Sequence, residues 1–261
     1  MTLPTHDHDR YCDQILAETE GFAAALAGAD PSVTVPTCPD WSLRELVVHV
    51  GQVQRWYEAN VRARAAERLP FTTEAPADDA GPDALGAWLT EGAQRLVSTL
   101  RDVGPDEKMW AWGESQRSGF WARRAMNETM VHRADAALAA GREFTAEPWA
   151  AADALDEFLM MLSTPEALTH KPQLAELRGP GRSIHLQATD TAADLNGEWV
   201  VEFEEEGFSW RRGHSEATVS VRGAMLDVLW VFYRRLPADS DRVKVLGDKR
   251  LLDFWLERAT F

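Results

Sequence analysis

Apolar residues recur at two different periods along this chain, and the change between them restricts the available folds more than any other feature. Up to about Glu147 they return every three or four residues, as on one face of a helix. From Ile184 onward they alternate with polar residues, as on one face of a strand. Helices first and strands later argue for an α+β protein with its helical and mixed parts segregated. The expected division is a helical bundle over residues 1–163 and a small α+β domain over 164–261.

Local signals place the elements. Tyr11, Ile15, Phe22 and Leu26 mark a first helix over about 7–27, ended by Gly28-Ala29-Asp30-Pro31. The proline-rich Val33–Asp40 stretch suits neither helix nor central strand. Ser42 followed by Glu45 forms a capping box for a second helix, with Trp41 placed to staple onto Leu46. That helix runs to about Ala65 and carries Leu43, Leu46, Val47, Val50 and Val53 on one face. After a loop over 70–82, Leu85, Trp88, Leu89, Leu96 and Leu100 mark a third helix, and a fourth spans about 119–140 with Gly141 as its stop. Met109-Trp110-Ala111-Trp112 before it reads as a lid over the bundle's end or as the wall of a ligand mouth. A fifth helix is expected near 151–161 and a linker over 164–181. Strands follow at Ile184–Thr189, Trp199–Phe203, Phe208–Arg211, Ala217–Val221 and Val243–Val245. Asn196-Gly197 is a hairpin signal, and Met225–Tyr233 and Leu251–Glu257 are helical.

Two of the helices carry ionisable groups where apolar ones belong. Glu128 and His132 are four residues apart, so they share a face, and that stripe also passes through Trp121 and Ala125. His49 lies among Leu46, Val50 and Val53. Alone, His49 reads as a core histidine satisfied by one hydrogen bond, and Glu128 as a surface carboxylate paired with Arg124. Together they would place unpaired charge in a bundle core at high cost. A divalent metal held by His49, Glu128 and His132, with positions left for chemistry, removes that cost. Trp121 on the same stripe is an expected substrate contact.

Composition narrows the partners. The net charge of −15 disfavours nucleic acid. No apolar stretch approaches the roughly 20 residues of a membrane span, and the polar start Met1–Arg10 has no signal-peptide core. Two cysteines, Cys12 and Cys38, are too few for a disulfide framework, and a cytoplasmic protein is expected.

Pro36-Thr37-Cys38-Pro39-Asp40-Trp41-Ser42, leading into Leu46-Val47-Val48-His49, resembles the N-terminal signature of the mycothiol-dependent maleylpyruvate isomerase family. Trp121-Ala122-Arg123-Arg124 through Glu128–Asp135 is similar to its second signature. Thr189-Asp190, Gly197-Glu198-Trp199 and Arg235-Leu236-Pro237 through Gly247-Asp248 resemble its C-terminal domain. The resemblance implies a DinB-like four-helix bundle holding a divalent metal, usually zinc, followed by a sterol-carrier-like α+β domain. It places the family's metal ligands at His49, Glu128 and His132. A catalytic or substrate-binding arginine falls at Arg235, with adjacent Arg234 as the other candidate.

The implied activity is that of a zinc-dependent isomerase or S-transferase using mycothiol as cosubstrate on a small electrophile. The active site would lie where the metal meets Arg235 of the second domain, and Cys12 and Cys38 would play no part as nucleophiles. A non-catalytic metal-binding regulatory or interaction protein of the same fold is the alternative. The sequence sets no oligomeric state and is compatible with a monomer.

Overall fold

A computed structural model describes residues 8–113 and 115–259. The first seven positions of the polar start lie outside the described residues. The chain divides into two compact units, Met1–Phe144 and Thr145–Phe261.

The first unit is built from α1 (His8–Leu26), α2 (Leu43–Ala63), α3 (Pro82–Val103) and α4 (Ser118–Ala139). A two-stranded antiparallel ribbon, β1 (Thr34–Val35) and β2 (Cys38–Ser42), precedes α2. The prolines, which exclude helix and central strand, are accommodated because the ribbon is short and entirely edge. The capping box forms as read. Ser42 Oγ accepts from the Glu45 N–H, and the Glu45 carboxylate accepts from the Ser42 N–H at 2.7 Å. Such a cap contributes about 1 kcal/mol.

Leu43, Leu46, Val47 and Val50 of α2 are buried against Phe22 and Leu26 of α1 and Leu85 and Leu89 of α3. Each such side chain contributes roughly 1.5–3 kcal/mol by leaving water. Trp41 packs against the same cluster. Helices α2 and α3 approach closely at Gly51, where a Cβ would stand 2.0 Å from the Trp88 ring. Gly141 ends α4 with φ of +65°, a conformation that favours glycine.

The second unit holds α5 (Pro148–Leu162), α6 (Pro165–His170), and strands β3 (Ser183–Ala188), β4 (Glu198–Phe203), β5 (Phe208–Arg212), β6 (Val219–Gly223) and β7 (Val243–Gly247). Helices α7 (Met225–Phe232) and α8 (Lys249–Arg258) complete it. The strand order is β5-β4-β3-β6-β7, with only β3 and β6 parallel. Ile184 pairs with Val201 and Val219, and Leu186 with Trp199 and Val221, so these residues share one face. All are fully buried, as are Val228, Leu229 and Phe232 of α7 and Trp255 of α8. The chain is thus α+β.

Three local readings differ from the structure. Helix α5, expected to close the first domain, belongs to the second unit, because its apolar face packs on α7. The 164–181 linker contains α6 and a 3-10 turn at Pro172–Glu176. Asn196-Gly197 is not a two-residue hairpin turn. A short 3-10 segment at Ala193–Leu195 precedes it, and Asn196 takes a left-handed φ of +47° to re-enter β4.

Candidate metal centre and active site

Helix α2 presents His49 and helix α4 presents Glu128 and His132 to one another. His49 Nε2 lies 3.2 Å from Glu128 Oε1, and His132 Nε2 lies 3.3 Å from the same oxygen. The imidazole rings stand nearly perpendicular, 5.2 Å apart. All three donor atoms fall within 4.8 Å of one another. The four-residue spacing on α4 creates half of this arrangement. The packing of α2 on α4 creates the other half.

A layer of supporting contacts fixes each group. His132 Nδ1 lies 2.9 Å from Asp135 Oδ2, and Thr37 Oγ1 donates to Asp135 Oδ1 at 2.7 Å. Asp135 is fully buried. Arg124 donates to Glu128 Oε2, leaving Oε1 facing the two imidazoles. The Arg124–Glu128 pair expected of a surface carboxylate therefore forms, but it forms in a largely enclosed site and orients the carboxylate. The Trp41 ring lies 4.7 Å from the His49 ring and 6.2 Å from that of His132, so the staple residue is also a wall of the site. Cys38 Sγ stands 4.0 Å from Asp135 Oδ2, and Cys12 is buried.

The electrostatics follow from this crowding. Burial opposes ionisation of Glu128, but Arg124, His132 and the hydrogen bonds from both imidazoles outweigh it and hold the carboxyl well below its usual range. Burial likewise opposes protonation of His132, yet Glu128 and Asp135 together raise it to about 9. In the metal-free protein the imidazolium bridges two carboxylates.

Two neutral imidazole nitrogens and one carboxylate oxygen, converging on a common point, form a donor set suited to zinc and related divalent ions. The donor atoms face each other, and Asp135 occupies the nitrogen of His132 that points away. That is the usual outer contact of a metal-bound histidine. The residues present therefore fit a divalent metal.

The other expected contacts fall differently. Trp121 is fully enclosed among Trp56, Tyr57, Trp110, Trp112 and Phe120, and its indole N–H donates to the Trp110 carbonyl at 3.1 Å. With no exposed surface it offers nothing for a substrate to touch, and it acts as the keystone of an aromatic cluster. Trp110 and Trp112 are also in contact with each other, with ring centroids 5.5 Å apart. Trp110 also lines a cavity of about 350 Å³ with Lys108, Gln116 and Arg117, none of them a candidate metal ligand.

Arg235 lies in the second unit, just past α7. That helix ends in a Schellman arrangement: the Arg235 N–H bonds the Trp230 carbonyl, and the Arg234 N–H bonds that of Val231. Arg234 takes the left-handed position, with φ of +59°, and its side chain is exposed. Arg235 is half-buried and donates to the Tyr233 carbonyl at 2.9 Å.

Sequence reasoning missed the roles of Asp135, Thr37 and Trp41. The available signal for Asp135 was its position three residues after His132 on the same helix face.

Residues 12–137 match the mycothiol maleylpyruvate isomerase N-terminal domain, and residues 150–254 match the MDMPI C-terminal domain. The structure is similar to the crystal structure of a single-site mutant of the mycothiol-dependent maleylpyruvate isomerase. The two share 16% identity and a TM-score of 0.56, over 94% of this chain and 95% of that one. A second crystal structure, titled as the mycothiol-dependent maleylpyruvate isomerase, aligns over the same shares at 15% identity and a TM-score of 0.54. At these identities the likeness is one of fold. No curated protein matches the sequence. Among the described residues no helix is long and apolar enough to cross a membrane.

Proposed function

The chain belongs to the mycothiol-dependent maleylpyruvate isomerase family, and from that premise we propose that it is a metal-dependent enzyme using mycothiol to isomerise a small electrophilic acid. The thiol adds to an activated double bond, the resulting single bond rotates, and the thiol leaves again. The observation that carries this reading is the convergence of His49, Glu128 and His132, backed by Asp135.

A divalent ion, zinc by donor set, held by these three residues supplies a Lewis-acidic centre that favours thiolate over thiol, which otherwise ionises near pH 8.5. The chain's own groups do the rest. Asp135 keeps His132 turned with Nε2 toward Glu128, and Arg124 keeps one Glu128 oxygen aimed at both imidazoles. Trp41 covers one side of the imidazole pair and limits water there. Arg235, anchored by the end of α7, offers a guanidinium for a carboxylate of the substrate or of the thiol.

The test is a turnover assay on maleylpyruvate and related cis-enedioyl acids, with and without mycothiol, in the zinc-loaded protein. An isomerase gives product with no net loss of thiol. Stoichiometric thiol consumption makes the protein an S-transferase instead. No turnover with any thiol and electrophile pair favours the non-catalytic alternative.

A further inference from the structure

A second His–Glu–His cluster lies outside the site described above, and every member of it belongs to the C-terminal unit. On β3, Ile184 and Leu186 face the core, so His185 between them projects from the opposite sheet face. His185 pairs with Val200, which places Glu198 two residues along β4 on that same face, at the diagonal position that long side chains can span. The third member arrives by a turn. Strand β5 ends at Arg212, and Gly213 follows with φ of +128° while its N–H bonds the Glu198 carbonyl at 2.9 Å. That backbone conformation, which a residue with a side chain rarely adopts, folds His214 back over the start of β4.

The result is a converging arrangement. His185 Nε2 and His214 Nδ1 each lie 2.7 Å from Glu198 Oε2. The rings stand 4.9 Å apart at 80°. The three donor atoms fall within 4.8 Å of one another. His185 is 4% exposed, whereas the His214 side chain is 70% exposed. The inner ligand is thus buried in the sheet while the outer one faces solvent, which gives an ion a route in.

We propose that His185, Glu198 and His214 form a second divalent-cation site, for zinc or a similar imidazole-preferring ion. Two nitrogens and one carboxylate oxygen select such ions over magnesium or calcium, which favour all-oxygen shells. Tetrahedral binding at about 2.0–2.1 Å separates donor atoms by roughly 3.4 Å. Both 2.7 Å contacts to Glu198 therefore widen by about 0.7 Å on loading, a movement that the Glu198 and His214 side chains, 27% and 70% exposed, can share. Three protein ligands leave the coordination incomplete, so this ion exchanges with solvent and is removed readily by chelator. Bound, it ties β3, β4 and the turn after β5 together.

The experiment uses the full chain, stripped with chelator and titrated with cobalt(II), reading ligand-field absorption and the equivalents bound by equilibrium dialysis. His214→Ala is the deciding variant, because its exposed side chain can be removed without disturbing the core. A matching metal-free melting curve verifies that it folds. The expected result is two equivalents in the wild-type protein and one in His214→Ala. Glu198→Gln, which keeps the shape and loses the charge, should also fall to one. His132→Ala should lose the other equivalent and retain the one that His214→Ala removes. Identical stoichiometry in the wild-type protein and His214→Ala overturns the proposal. A single wild-type equivalent that His214→Ala abolishes and His132→Ala does not would support this site and refute the one between α2 and α4.

Discussion

His132 Nδ1 lies 2.9 Å from Asp135 Oδ2, and this one contact determines which nitrogen the imidazole turns toward Glu128. With Nδ1 occupied, Nε2 is the atom 3.3 Å from Glu128 Oε1. Replacing Asp135 with Asn keeps the volume but removes the negative acceptor. The Asp135→Asn variant should bind zinc about 10–100-fold more weakly than the wild type. Competition titration against a chromogenic chelator measures the change, and an unaltered affinity would remove Asp135 from the site.

Metal binding at the first site should depend on pH with a definite sign. The His132 pKa is raised to about 9 in the metal-free protein, while Glu128 stays ionised far below neutrality. An ion must displace the His132 proton, so apparent affinity should climb about tenfold per pH unit up to about pH 9 and level off above it. Metal-free stability should run the other way. A pKa above the unfolded value of about 6.5 stabilises the fold fully below that pH, and the contribution disappears as pH rises through about 9. Melting curves of chelated and zinc-loaded protein across pH 6–10, bracketing these values, should therefore diverge as pH rises.

Arg124 neutralises a carboxylate that is mostly withdrawn from water. The Arg124→Gln variant should destabilise the metal-free protein by about 1–3 kcal/mol, and clearly less when zinc supplies the compensating charge. Urea unfolding with and without chelator compares the two. Equal losses in both states would mean that the guanidinium acts by packing alone.

The Arg235→Ala variant should leave zinc content near wild type, because Arg235 is not among the candidate metal ligands. Turnover should collapse, with KM for the anionic substrate rising if the guanidinium binds it. The neighbouring Arg234→Ala, at an exposed position, serves as control. Full activity in Arg235→Ala would deny that side chain a part in the reaction.

Much of the fold was written in short-range pattern. The apolar face of α2, the Ser42–Glu45 cap, the Gly141 stop and the alternation of β3 need only neighbours within a few residues, and each formed where the pattern put it. The pairing of Glu128 with His132 is of the same kind, since helix geometry alone sets their common face. Tertiary structure decided what depended on distant partners. Trp121 lies on the same stripe as Glu128, yet surrounding aromatic rings enclosed it completely. Asp135 shares a helix face with His132, but its other oxygen is held only because the ribbon before α2 brings Thr37 beside α4. Helix α5 is legible as a helix from its periodicity, but only its packing on α7 assigns it to the second unit. His185, Glu198 and His214 meet through strand register and one left-handed glycine, and periodicity along a strand cannot reveal which residues stand opposite it on the next.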